Sequence, residues 1–353
     1  MRYNLLGNTG LAVSELCLGA MTFGTNPGRF GAIAGLDQDA STALVKKALD
    51  AGINFIDTAN VYTTGQSEQF VGGAIKALGI ARSDIVVATK AMGAMGKGPN
   101  DAGVSRYHLM HQIDASLKRL GTDHVDLYQI HGWDQTTPME EALRALDDIV
   151  RSGRARYIGV SNWAAWQIMK ALGISERLGL ARFASDQAYY TVAGRELERE
   201  IVPMLLSEGV GLMVWSPLAG GFLSGKYTRG NDDRSQGEGR RAAFDFPPVE
   251  MDRGYDVIDA MKRIADAKGN GTTVAQIALA WLLYQPVVST VIVGAKRADQ
   301  LADNIGACEV ELTAAELAEL DKVSALPREY PGWMFAMQGA YRTGLIAERR
   351  AAK

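Results

Sequence analysis

Asp57, Tyr62, Lys90 and His131 are the residues of this chain whose types and spacing could do acid–base chemistry. Each falls at, or just past, the end of a short apolar run: INFID for Asp57, with Tyr62 after a polar turn, VVATK for Lys90 and DLYQIH for His131. An acid at the end of a buried strand is costly unless something pairs with it, and Lys90 is the available partner. A cation beside a phenol favours the phenolate and lowers the phenol's pKa. Tyr62 then becomes a usable general acid near neutral pH, and His131 can donate a second hydrogen bond that orients a carbonyl. Singly, each residue has a plainer use as a cap, a solvated strand end, a packing phenol or a structural histidine. The chemical reading rests on all four meeting at one end of three strands.

Those strands belong to a longer alternation. Apolar runs fit strands at 13–20, 53–57, 85–90, 125–131, 157–162, 184–189, 211–216 and 290–294. Between them, amphipathic periodicity predicts helices, among them 39–51, 68–78, 106–120, 139–152, 163–172 and 272–284. Asp37 or Asp39 is the expected cap of the first, and Gly52 stands just past its end. Eight βα units imply a parallel sheet with right-handed crossovers, and in one chain of this length they fit an α/β (β/α)8 TIM barrel spanning 1–353 as a single domain. A doubly wound sheet is the competing architecture, but no G-x-G-x-x-G opens a helix after a strand. A hairpin over 2–13, turning at Gly7-Asn8-Thr9-Gly10, is expected to cap the barrel bottom. Long loops should crown the top. Residues 21–36 are Gly-rich and aperiodic, and 228–254 read as a long exposed loop. In the tail, 327–353, the Trp333-Met334-Phe335 cluster either docks on the body or forms a pocket wall.

In such a barrel, chemistry collects where strands end. The polar residues there are Asp57, Lys90, His131, Asn162, Gln187 and Ser216. Gly220–Lys226, GGFLSGK, is a near match to a P-loop, but Tyr227 stands where a Ser or Thr would hold magnesium. Gly294-Ala295-Lys296-Arg297 leads into a helix, a place suited to an anion.

Composition narrows the partners. The chain has 353 residues, 47% hydrophobic and 22% charged, with a net charge of −3. That leaves no basic footprint for nucleic acid and no polybasic membrane signal. No apolar run reaches the roughly 18 residues of a spanning helix, and the N-terminus is too polar for a signal peptide. Cys17 and Cys308 form neither a disulfide framework nor a metal-ligand spacing. A cytoplasmic protein acting on a small molecule, without metal, is expected. No heptad seam fixes an oligomeric state.

Six motifs, in order and spacing, resemble the aldo-keto reductases: GINFIDTANVY (52–62), VVATK (86–90), DLYQIH (126–131), IGVSNW (158–163), WSPLAGGFLSGKY (215–227) and VIVGAKRADQLADN (291–304). The resemblance implies a (β/α)8 barrel that reversibly reduces aldehydes and ketones with a nicotinamide cofactor, and makes Asp57, Tyr62, Lys90 and His131 the catalytic tetrad. It implies that Ser161 and Asn162, with Gln187 alongside, hold the nicotinamide carboxamide, and that Trp215 stacks on the ring. The backbone around Leu218, Gly220 and Leu223 would meet the pyrophosphate, and Ser216 and Lys226 are further expected cofactor contacts. Gly294, Lys296, Arg297, Gln300 and Asn304 would meet the adenosine 2′-phosphate, favouring NADPH/NADP+. Met21, Phe23, Met92, Trp133 and Trp333 are the expected apolar substrate walls. Gly132 separates His131 from Trp133, a departure from the commoner family pattern in which Trp follows the His. Two alternatives share this sequence pattern: net oxidation of an alcohol or sugar, and a regulatory subunit that binds NADPH with little turnover.

Overall fold

The computed structural model describes residues 1–26, 33–229, 241 and 245–343. Eight parallel strands close into a barrel: β3 (Leu16–Gly19), β4 (Phe55–Asp57), β5 (Val86–Ala91), β6 (Val125–Ile130), β7 (Ala155–Ser161), β8 (Phe183–Tyr189), β9 (Gly211–Trp215) and β10 (Val288–Val293), with β10 pairing back to β3. The expected (β/α)8 architecture is therefore the observed one. Side-chain alternation divides the core in two. Cys17, Phe55, Val86, Ala88, Leu127, Met213 and Ile292 fill the barrel interior, while residues such as Leu18, Ile56, Val87, Tyr128 and Val214 pack outward in the larger apolar cluster.

The bottom is plugged by an antiparallel hairpin of β1 (Tyr3–Leu5) and β2 (Ala12–Ser14). Gly7 sits at φ +58°, and a Cβ there would come within 2.5–2.7 Å of the backbone of Ala184, Gly209 and Gly211. Only glycine lets the hairpin seat this closely. The single strand expected over 13–20 is thus two elements. They break at Glu15, which is buried and receives the Arg2 N–H at 3.0 Å and the Arg2 guanidinium at 2.8 Å.

Helices α1 (Gln38–Asp50), α2 (Gln66–Ala77), α3 (Arg106–Leu120), α4 (Met139–Arg151), α5 (Ala165–Leu178), α6 (Ile201–Glu208), α7 (Met251–Lys268), α8 (Val274–Leu283), α9 (Ala298–Gly306) and α10 (Ala314–Val323) accompany the strands. Asp37 caps α1, accepting from the Ala40 N–H at 2.9 Å. Helix α5 outruns its expected end at 172, because Gly173 faces open space and is tolerated in the helix; the stop is Gly179 in the left-handed region. Helix α7 begins inside the segment expected to be loop, where Glu250 caps it by accepting from the Asp252 and Arg253 N–H groups. The 230–240 and 242–244 parts of that expected loop lie outside the described residues. The tail carries α11 (Gly332–Thr343), and Glu329 just before it pairs with Arg199 at 2.9 Å. The end of the expected tail, 344–353, lies outside the described residues.

Candidate active site

At the C-terminal end of the strands, Asp57 and Lys90 form a buried ion pair. Lys90 Nζ lies 2.5 Å from Asp57 Oδ2, donates to the Thr58 carbonyl at 2.8 Å, and reaches Tyr62 Oη at 3.3 Å. Three donors on one ammonium are thereby satisfied. Burial works against the Lys90 charge, but the Asp57 carboxylate and the Tyr62 phenol outweigh it and raise its pKa above the ordinary lysine value. The His131 ring stands edge-on to Tyr62, with ring centres 5.6 Å apart. All four residues singled out from the sequence meet in one place.

The turn that aims Tyr62 is strained. Thr63 and Thr64 follow it at φ +47° and +58°, conformations costly for β-branched residues. Thr63 is held there by donating to the Phe23 carbonyl at 2.9 Å. Gly24 makes the approach possible, since a Cβ on it would come 2.3 Å from Thr63 Oγ1. Strain of this kind persists only where the surroundings over-determine it, and it clusters at working sites.

The nicotinamide-side residues form a second knot. Ser161 donates to the Gln187 carbonyl at 2.7 Å, and Asn162 Nδ2 donates to the His131 carbonyl at 3.2 Å. Asn162 Oδ1 accepts from the Trp215 indole at 2.9 Å, which fixes the indole against the Ser161–Asn162 corner. The Trp215 ring meets Tyr189, with ring centres 5.2 Å apart, and Phe246, stacked at 5.8 Å and 11°. Gln187 lies alongside this corner, paired with Ser161 across β7 and β8. Its amide turns under the tetrad, donating to Asp57 Oδ1 at 3.0 Å, while its main-chain carbonyl serves Ser161.

Past Trp215, the chain bends through left-handed residues at Ser216, Ala219, Gly220, Gly221 and Gly225. Such a turn presents successive N–H groups to an anion. Ser216 Oγ is buried with no partner among the described residues. An orphaned hydroxyl beside a run of this geometry fits a bound phosphate. Arg241, which sequence reasoning missed, is buried and ties this turn down, donating to the carbonyls of Ala219 at 3.0 Å and Pro247 at 2.9 Å and pairing with Asp245. It gives no sequence signal, lying in an aperiodic Gly- and Arg-rich stretch. Lys226 is exposed.

At the other end, the Lys296 N–H donates to Gln300 Oε1 at 3.0 Å and Arg297 pairs with Asp299 at 2.9 Å, both cations being exposed. The hydrogen bond from Arg297 holds the Asp299 carboxyl below its usual range. Asn304 is buried in α9, and Gly294 is exposed where β10 ends.

Of the expected substrate walls, Met21, Met92 and Trp133 are half-buried beside the strand ends. Trp133 stands edge-on to Trp163 at 4.9 Å and Trp166 at 6.1 Å. The adjacent Asp134 accepts from the Val104 and Thr136 N–H groups and the Thr136 and Thr137 hydroxyls. Partial burial opposes its charge, but those donors outweigh it and hold the carboxyl far below its usual range. Phe23 differs from expectation: it is fully buried in the outer core, pinned by pairing with Leu36. Trp333 is 42% exposed on α11, its ring centre 6.0 Å from that of Tyr330.

The site is thus that of a barrel with a lysine-linked phenol at its mouth. The model of the aldo/keto reductase family matches residues 15–325. A rice protein named probable voltage-gated potassium channel subunit beta is 39% identical over 337 residues, covering 94% of this chain and 98% of its own. Versiconal hemiacetal acetate reductase of Aspergillus parasiticus is 36% identical over 349 residues, covering 94% and 99%. An uncharacterized oxidoreductase of Bacillus subtilis, YrpG, is 37% identical over 334 residues, covering 92% and 96%. This chain belongs to the aldo/keto reductase family, whose members are oxidoreductases that generally use NAD(P)H on carbonyl groups. Among the described residues, no cluster of His, Cys, Asp or Glu could hold a metal ion, and no helix is long and apolar enough to cross a membrane.

Proposed function

We propose that the protein reduces an aldehyde or ketone to an alcohol with NADPH, Tyr62 serving as the general acid. The observation that carries this reading is the contact of Tyr62 Oη with Lys90 Nζ at 3.3 Å, at a barrel mouth shared with His131. When bound, the nicotinamide supplies the hydride that adds to the carbonyl carbon. Tyr62 and His131 hydrogen-bond the carbonyl oxygen and so fix the carbon's position. As charge develops on that oxygen, Tyr62 gives it the Oη proton. The buried Lys90 cation stabilises the phenolate left behind, and Asp57 keeps the cation in place. Proton return to Tyr62 from solvent restores the acid.

Ser161, Asn162 and Trp215 form the proposed nicotinamide corner, and the 216–226 turn with Ser216, Leu218, Gly220, Leu223 and Lys226 the proposed pyrophosphate cradle. Lys296 and Arg297, with Gln300 and Asn304 behind them, favour NADPH over NADH through the 2′-phosphate. That phosphate must displace Asp299 from Arg297. Turnover at low concentrations should be higher with NADPH; equal turnover with NADH would refute the preference. Met21, Met92 and Trp133 suit an apolar carbonyl compound, and a cytoplasmic setting supplies NADPH.

Tyr62→Phe should lower turnover by about 10²–10⁴ while NADPH still quenches protein fluorescence. Near-native turnover in that variant would remove Tyr62 from the role. A second reading is favoured by the rice relative's name: a nicotinamide-binding subunit of another assembly, with little turnover. Fluorescence quenching by NADPH without steady turnover, across aldehydes, quinones and bulky ketones, would support it over the first.

A further inference from the structure

Gln129 precedes His131 by two positions on the β6 line, so both side chains project into the barrel. It is fully buried. Its Nε2 donates to Asp57 Oδ1 at 3.0 Å, and Gln187 Nε2 donates to the same oxygen at 3.0 Å and to Gln129 Oε1 at 3.2 Å. The other oxygen, Oδ2, belongs to Lys90. The carboxylate is therefore divided: one oxygen faces the cation, and the other is held by two neutral amides. The neighbouring strand makes room for this arrangement. A Cβ on Gly159 of β7 would come 3.2 Å from Gln129 Cγ and 2.7 Å from Ser185 Oγ. Amide donors to a carboxylate are stronger than neutral pairs, and in a sealed interior no solvent competes with them.

We infer that Gln129 is a positioning residue for carbonyl reduction: by holding Asp57 Oδ1 it limits how much of the Asp57 charge is felt by Lys90 and Tyr62. This rests on the reading of Tyr62 as the acid. Without the Gln129 donor, more of the carboxylate charge falls on the Lys90–Tyr62 contact, and the phenol gives up its proton less readily. Among the described residues, His131 at the end of β6 and Cys17 on β3 are the other titratable groups facing the pair. Burial, with the Asp57 charge, pushes the Cys17 thiol well up, so it stays neutral.

Gln129→Met keeps the length of the side chain and removes the donor. The measurement is kcat against pH at saturating NADPH, with NADPH affinity read separately by fluorescence quenching. The basic limb should move up by about half to one pH unit, and kcat at pH 7 should fall about 3–10-fold, with NADPH affinity unchanged. Gln129→Leu, which packs differently, should move the limb in the same direction and serves should the first variant fold poorly. A basic limb left in place in a variant that binds NADPH overturns the inference, as does a fall in kcat matched by an equal loss of NADPH affinity. Tyr62→Phe, run in the same assay, separates the two claims. If it keeps turnover, the acid assignment itself fails. If it loses turnover while Gln129→Met leaves the limb in place, only the role of Gln129 fails.

Discussion

Asp186 follows Ser185 and precedes the inward-facing Gln187 on β8, so its side chain points outward, beneath the helices. It is fully buried, and neither carboxylate oxygen has a partner among the described residues. Burial pushes its pKa up to about 8. The folded chain therefore binds a proton there that the unfolded chain releases near its ordinary value of 3.8. Stability contributed by the neutral form is full at acid pH and declines as pH rises from about 4 to about 8, at up to ~1.4 kcal/mol per unit. Asp186→Asn, close in shape and uncharged, abolishes that slope. In urea melts, the variant should gain on the wild type between pH 5 and pH 8; a constant difference would mean that the carboxylate is ionised and paired when folded. The tetrad is legible in the sequence because each member lies at or just past the end of an apolar run. Gln129 gives no such sign, although it shares the parity of His131, because an amide between Tyr128 and Ile130 carries no charge. Glu15 looks in sequence like one more residue of a strand, since only the fold brings Arg2 to it.

At the scale of elements, loops are less legible than the βα units they join. Periodicity locates a helix whose face is buried against a sheet, whereas the 216–226 turn depends on backbone signs that only its glycines announce. Arg241 shows the limit: its two carbonyl partners, Ala219 and Pro247, come from either side of a segment with no period. The hairpin is more predictable in its response to substitution. Gly7 and Gly79 both adopt left-handed backbone, at φ +58° and +63°, but Gly79 faces open space. Gly79→Ala should cost only the backbone strain, about 1 kcal/mol. Gly7→Ala adds collisions with three backbone atoms and should cost about 1–3 kcal/mol more. Thermal melts followed by circular dichroism make the comparison. Equal losses would mean that the hairpin does not seat against β8 and β9 in solution. The activity of the molecules that remain folded should be unchanged in both, since the tetrad is at the opposite end of the barrel.

At the scale of the whole molecule, a ligand that binds only the folded barrel stabilises all of it. Saturation to about 100 times Kd adds about 2.7 kcal/mol, so NADPH should raise the melting temperature, and NADH at equal concentration should raise it less. Equal shifts would mean that the 2′-phosphate meets nothing at the adenosine end, and would leave Lys296 and Arg297 as ordinary surface cations.

Closure of the barrel also sets an order of completion during synthesis. Strand β3 pairs with β10, Leu16 lying beside Val291, about 275 residues further along the chain. Hairpin residue Asn4 likewise donates to the Ser289 carbonyl at 3.0 Å. At roughly 5–20 residues per second, the first barrel strand waits on the order of 15–50 s before its last neighbour has been made. Through that interval one edge of β3 and the underside of the hairpin have no partner. The first barrel strand to be made is thus the last to be completed, and it depends on whatever shields an open strand edge in the cell until β10 arrives.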